Sequence, residues 1–273
     1  MQRHGALIAR IPTGHNPSDI VFTLHNPAHT MTQTAVRFDQ VRKSYGRQPV
    51  LQGIDLDIAA GATFGLVGIN GAGKTTLIKC LLDFCHVDNG RIEIFGTRHT
   101  DSQARARLAF LPERFMPPYF LTGRDFLNYM LTLDRRAADE DKVRAMFSAL
   151  DLDAAALDKP VRSYSKGMTQ KLGLAACLLA EPDLLILDEP MSGLDPVARA
   201  RVKQLLRQLR DQGRTLFFTS HALSDVEEIC ESMVVLHQGS LYFSGSPQEL
   251  MRRHASGSIE QAFLNCIESR AYG

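Results

Sequence analysis

The run Gly68-Ile69-Asn70-Gly71-Ala72-Gly73-Lys74-Thr75-Thr76 constrains this chain more than any other stretch. It follows Thr63-Phe64-Gly65-Leu66-Val67, an apolar segment that reads as a buried strand, and precedes a helical pattern from about Lys74 to Leu82. Strand, glycine-rich turn and helix in that order give the context that G-x-x-x-x-G-K-[ST] requires. The first N–H groups of a helix have no partner inside it, and glycines leave them open to a ligand. A triphosphate can therefore sit in the turn, with Lys74 adding a point charge at the outer phosphates and Thr75 offering a hydroxyl to Mg²⁺. The turn alone does not choose among kinases, GTPases, motors and transport ATPases.

A second apolar run, Leu184-Leu185-Ile186-Leu187, leads into Asp188-Glu189-Pro190. Two acids at the carboxyl end of a buried strand lie where ligands bind in open α/β sheets. Asp188 is placed to hold Mg²⁺ and Glu189 to face the water that attacks the γ-phosphate. Water and an ordinary Glu differ by about 11 pK units, so Glu189 orients and polarises that water rather than storing its proton beforehand.

The rest of the chain agrees with an α/β protein. Val36 and Phe38, then Ile54, Leu56 and Ile58, alternate with polar residues as in a half-buried antiparallel sheet. Arg91–Phe95, Leu108–Leu111 and Leu216–Phe218 read as further strands. Residues 124–180 read mostly as helix. One helix opens on Asp139, Glu140 and Asp141, with Val143, Met146, Phe147 and Leu150 as its apolar face. Another is capped by Asp195, has Pro196 in its first turn and stops at Gly213. Ser224 with Glu227 predicts a capping box. Ile259, Phe263 and Ile267, spaced by four, predict a closing helix.

Between the glycine turn and the acid pair lies Tyr164-Ser165-Lys166-Gly167-Met168-Thr169-Gln170, followed by a stretch rich in small residues. With the other two elements this segment resembles the ATP-binding subunit of an ATP-binding cassette (ABC) transporter. The likeness runs over about residues 35–245 and includes Ser192-Gly193-Leu194-Asp195 and His221. The resemblance implies an α/β fold: a P-loop NTPase core with an N-terminal antiparallel β subdomain and an inserted helical subdomain at about 114–180. It implies an ATPase domain over 34–245, a short helical segment over 246–273, and ATP and Mg²⁺ as cofactors. Tyr45 would stack on the base. Gly68, Ile69, Asn70, Gly71, Ala72, Gly73, Lys74, Thr75 and Thr76 would hold the phosphates. Ser165 and Gly167 would close over the ATP of a second copy in a head-to-tail pair. Lys74, Glu189 and His221 would be catalytic, and Thr75, Glu113 and Asp188 would serve the metal.

The sequence departs from the family pattern in places. The common Leu-Ser-Gly-Gly-Gln becomes Tyr164-Ser165-Lys166-Gly167-Met168, a form that resembles single-domain cassettes of export systems. Glu113 stands where the family usually has Gln. The apolar, proline-bounded Phe115-Met116-Pro117-Pro118-Tyr119-Phe120 reads as a docking surface for a membrane subunit.

Composition limits the alternatives. Lys+Arg 31 against Asp+Glu 30 gives a net charge of +1, without the basic excess a nucleic-acid binder carries. No run of 18 apolar residues is present, so a membrane role would come through a partner; the resemblance implies integral permease subunits and a place on the cytoplasmic face of the membrane. The alternative, a soluble cassette acting on ribosomes or DNA, fits less well. The stretch between Lys74 and Ser165 leaves no room for long coiled coils. The 5 cysteines, Cys80, Cys85, Cys177, Cys230 and Cys266, hold no Cys-x-x-Cys pair, so a zinc site is not expected, and Cys177 and Cys230 read as small core residues. Residues 1–33, with His4, His15, His25 and His29, are expected to form a disordered extension, with translation starting at Met31.

Overall fold

The structure, a computed structural model, describes residues 8–10, 21–23 and 33–269. The expected extension and the start at Met31 fall almost wholly outside these residues. Within that stretch, β1 (Ile8–Arg10) and β2 (Val21–Thr23) pair antiparallel. Next come β3 (Thr34–Tyr45), β4 (Gln48–Ala59), β5 (Thr63–Val67), α1 (Lys74–Leu81), β6 (Asn89–Ile94), β7 (Thr97–Arg98), α2 (Ser102–Arg105) and β8 (Leu108–Leu111). The helices α3 (Gly123–Leu133), α4 (Glu140–Ala149) and α5 (Lys166–Leu179) follow. The chain then runs through β9 (Leu184–Asp188), α6 (Pro196–Asp211), β10 (Thr215–Thr219), α7 (Leu223–Ile229), β11 (Ser232–His237), β12 (Ser240–Gly245), α8 (Pro247–Arg253) and α9 (Ile259–Ser269).

These elements divide into two units. One unit comprises Met31–Leu108, Asp183–Glu189 and Arg214–Gly273. It contains an antiparallel sheet in the order β4-β3-β6-β7. The alternation read from the sequence is its register: Val36 faces Ile58, Phe38 faces Leu56 and Val41 faces Ile54, all buried. The second sheet of this unit runs β12-β11-β5-β10-β9, with β11, β5, β10 and β9 mutually parallel. β5, β9 and β10 are buried at every position, which is why they read as unbroken apolar runs rather than alternating ones. Their carboxyl ends lie at one edge, since Thr219 of β10 pairs with both Leu66 of β5 and Asp188 of β9.

The other unit contains Ala109–Pro182 and Pro190–Gly213. Its helices start on side-chain caps: Thr122 and Asp125 form a capping box on α3, Asp139 caps α4, Ser165 caps α5 and Asp195 caps α6. α4 buries Val143, Met146 and Phe147, and Leu150 at its end is also buried, the face read from the sequence. Every residue of α5 from Gln170 to Leu179 is buried. Its small residues let neighbouring side chains close in, and a Cβ on Gly173 would stand 2.8 Å from Phe115.

Two local expectations are corrected. Ser224 lies inside α7, whose cap residue is Ala222 without a side-chain cap. That turn is organised one step earlier: the Ser220 hydroxyl accepts from the Ala222 N–H at 3.1 Å and donates to buried Asp225 at 3.3 Å. In α9 the buried stripe is Ile259, Ala262, Phe263 and Cys266, and Ile267 is only half-buried. A period of 3.6 residues carries a strict spacing of four off the buried face by its third member.

Candidate functional site

The glycine turn joins the carboxyl end of β5 to α1. Gly73 is the N-cap of α1 at φ 112°, a left-handed conformation that glycine adopts freely, and no side chain caps the helix. The start of α1 thus receives no acceptor from its own cap residue. Gly68 is fixed by crowding: a Cβ there would stand 2.3 Å from the Leu236 carbonyl oxygen on β11. Ile69, Asn70, Gly71 and Thr75 are exposed, Thr76 is half-buried, and Ala72 is buried. Lys74 is buried, and its ammonium donates to the Gly68 carbonyl at 2.5 Å and to that of Ile69 at 3.3 Å. The charge is therefore held over its own turn.

The acid pair sits one strand beyond β10. Asp188 and Glu189 are both buried. Thr219 ties them together: its hydroxyl donates to Asp188 Oδ1 at 2.7 Å and accepts from the Glu189 N–H at 3.0 Å. Strand register makes this possible, because Thr219 is the direct partner of Asp188. Glu189 adopts φ 52°, which turns the chain at the strand end. Its Oε2 accepts from the His221 backbone N–H at 3.1 Å, and its Oε1 lies 3.4 Å from His221 Nε2. Burial pushes the Glu189 carboxyl above its ordinary value, opposed by the His221 N–H and by the positive charges of His221 and Lys74. A carboxylate raised in this way polarises a water better than an exposed one.

Tyr45 ends β3 with a half-exposed ring. Its hydroxyl donates to Cys85 Sγ at 3.8 Å, on the turn that follows α1. The expected aromatic is thus in the same unit as Lys74, Asp188, Glu189 and His221. Thr219 is the member of this group that the sequence reading overlooks. Its signal was present: a hydroxyl residue closing a buried strand, just before Ser220 and His221.

Ser165, Gly167 and Glu113 belong to the other unit. The Ser165 hydroxyl accepts from the Met168 N–H at 3.2 Å, and Ser165 and Lys166 are exposed at the start of α5. Gly167 approaches the loop after the acid pair, where a Cβ would meet the Gly193 carbonyl at 3.3 Å. Two of the three departures in this segment, Tyr164 and Lys166, have side-chain partners. Tyr164 donates its hydroxyl to the Ala156 carbonyl at 2.6 Å, and burial pushes that phenol up to about 12. Lys166 lays its aliphatic stem over Gly193 and donates to Ser192 Oγ at 3.3 Å. Glu113 is exposed. In the expected docking segment, Met116, Tyr119 and Phe120 are exposed, but Phe115 is not: it packs edge-on against Phe126, with ring centroids 5.6 Å apart. Phe115 is therefore a packing residue of the helical unit, which corrects its reading as docking surface.

A glycine cradle on one parallel strand and a wired acid pair two strands away define a nucleotide-binding protein of the P-loop class. The family model described as ABC transporter matches residues 51–192, and the chain belongs to that family. It is 40% identical over 205 residues to an uncharacterized ABC transporter ATP-binding protein of Synechocystis sp., covering 74% of this chain and 58% of that one. The chain thus spans about three-fifths of the length of the first curated relatives it matches. It is 35% identical to Nod factor export ATP-binding protein I of Paraburkholderia xenovorans, over 85% of this chain and 78% of that one. It is 36% identical to a daunorubicin resistance ATP-binding protein of Streptomyces coeruleorubidus, over 84% and 74%. Among solved structures, an ATP-binding subunit of an ABC transporter aligns with a TM-score of 0.78 at 26% identity, covering 86% of this chain and all of that one.

Proposed function

We propose that this chain is the ATP-binding and ATP-hydrolysing subunit of a membrane ABC transporter, probing no substrate itself and driving export through separate permease subunits. The observation that carries the reading is the wiring of Asp188 and Glu189 through Thr219 and His221, at the sheet edge that also holds the glycine turn. The N–H groups of that turn and Lys74 bind the phosphates of ATP, and Tyr45 stacks on the base. Glu189 orients the attacking water toward the γ-phosphate, while His221 holds Glu189 in place.

The Asp188 carboxylate and the Thr75 hydroxyl are hard oxygen donors that suit Mg²⁺, and Asp188 is already buried and positioned by Thr219. Bound there, the cation would neutralise charge developing on the phosphates. Ser165, Gly167 and the N-terminus of α5 face the ATP of a second ATP-binding subunit. A lone copy should therefore bind ATP well and hydrolyse it poorly.

Export is supported by relatives named for Nod factor export, daunorubicin resistance and bacitracin transport. Among the described residues no helix is long and apolar enough to cross a membrane. Integral permease subunits would supply the membrane path, docked at the exposed Met116, Tyr119 and Phe120. Co-purification tests the reading. A polytopic membrane protein travelling with the chain, and lost on Tyr119→Ala with Phe120→Ala, is the expected result. Ribosomes or DNA in its place would contradict it.

A further inference from the structure

One cluster of reactive groups lies beside the nucleotide site without a part in the chemistry above. Cys80, in the last turn of α1, is buried, and Cys85 beyond it is half-buried. The chain between them turns back through Asp83 at φ 60°, and the N–H groups of Phe84 and Cys85 both donate to the Lys79 carbonyl, at 2.8 and 3.4 Å. That turn brings Cys80 Sγ within 3.5 Å of Cys85 Sγ. The Tyr45 hydroxyl donates to Cys85 Sγ at 3.8 Å. The Lys43 ammonium, held 2.9 Å from Asp88, acts on both thiols electrostatically.

We propose that Cys80 and Cys85 are an oxidation site for peroxide, closing to a disulfide that loosens nucleotide binding through Tyr45. The part played by Tyr45 rests on the reading of it as the nucleobase platform; the disulfide itself does not. Cys85, the more accessible thiol, attacks hydrogen peroxide as its thiolate, forming Cys85–SOH and releasing hydroxide. The Cys80 sulfur then attacks the sulfenic sulfur, the S–O bond breaks, and the hydroxyl leaves as water with the Cys80 proton. The two thiols lose two electrons in all, and the peroxide gains them. The sulfurs need to close from 3.5 Å to about 2.05 Å to form the bond. Cys80 cannot begin the sequence itself, because burial pushes its thiol up to about 12. Burial raises the thiols of Cys177 and Cys230 too.

Oxidation removes the thiol that accepts from Tyr45 and redraws the turn behind its ring. ATP affinity should fall about threefold, the weight of one modest hydrogen bond. The test uses the full chain, reduced and then treated with hydrogen peroxide, with free thiols alkylated before peptide mass mapping. The expected product is a Cys80–Cys85 cross-linked species two hydrogens lighter, reversed by dithiothreitol. Cys80→Ser should leave a sulfenic acid at Cys85 that dimedone traps, and Cys85→Ser should leave Cys80 unmodified. Both thiols remaining alkylatable after peroxide, or Cys85 advancing to sulfinic acid while Cys80 stays free, would overturn the site. Fluorescent ATP titration of the reduced and oxidised chain gives the second readout. A disulfide that leaves ATP affinity unchanged overturns the link to Tyr45. A reduced chain that binds no ATP overturns the proposed function instead, and the mass map then decides the oxidation site alone.

Discussion

The two units of this protein position their candidate site residues by different means. In the unit that carries the glycine turn, the sheet does the work: Thr219 meets Asp188 because β10 and β9 are in register, and His221 reaches Glu189 because β10 ends there. All of these acids are buried. In the helical unit, Ser165 and Lys166 stand exposed at a helix start and are steadied by a cap and by the Gly193 loop. The first arrangement is held by hydrogen bonds between buried groups of one sheet. The second presents polar groups outward to solvent.

That contrast orders the expected effects of substitution. Glu189→Gln keeps the shape of the site and removes the water-orienting charge, so ATP turnover should fall by about 10²-fold or more while ATP binding survives. Unchanged steady-state hydrolysis would count against the role. Lys74→Ala should act on binding itself, weakening ATP affinity roughly 10- to 100-fold by titration, since it removes a charge-assisted contact. Thr219→Val strips a buried carboxylate of its hydroxyl donor and should cost about 1–3 kcal/mol in denaturant unfolding, besides slowing turnover. Tyr164→Phe, in the outward-facing unit, should cost only about 1 kcal/mol and leave ATP affinity alone.

Burial of Glu189 also gives stability a pH dependence. Its carboxyl is raised in the folded protein, so the native state holds that proton more tightly than the unfolded chain. The associated stability is fully present below the ordinary carboxylate range and is lost as pH rises through the raised native value. Glu189→Gln removes the charge, so the variant should melt at or above the wild-type temperature at pH 7, with the gap closing at pH 4. A variant that melts lower at pH 7 would show that the charge is better compensated than its burial implies.

The layout of the sheet unit was legible in the sequence because buried parallel strands are continuous apolar runs and the candidate site residues follow them directly. Gly68 to Thr76, Asp188 and Glu189 all sit one step past such a run. Thr219 was harder to see, since its function depends on which residue it faces across the ladder, and register is not written in a single strand. The helical unit was less legible. Tyr164 and Lys166 looked like departures, and their partners at Ala156, Ser192 and Gly193 are remote in sequence. Phe115 looked like its exposed neighbours Met116 and Tyr119 because a loop has no period from which to tell the inward residue from the outward ones.

In the proposed function a pair of subunits holds ATP between the glycine turn of one and Ser165 of the other. Sedimentation of purified Glu189→Gln with ATP tests it most directly. A stable dimer that returns to monomer when Ser165→Ala is added, with each chain still able to bind ATP, is the predicted result. A chain that stays monomeric with ATP bound, paired with wild-type protein that hydrolyses ATP at full rate as a monomer and ignores Ser165→Ala, would contradict it.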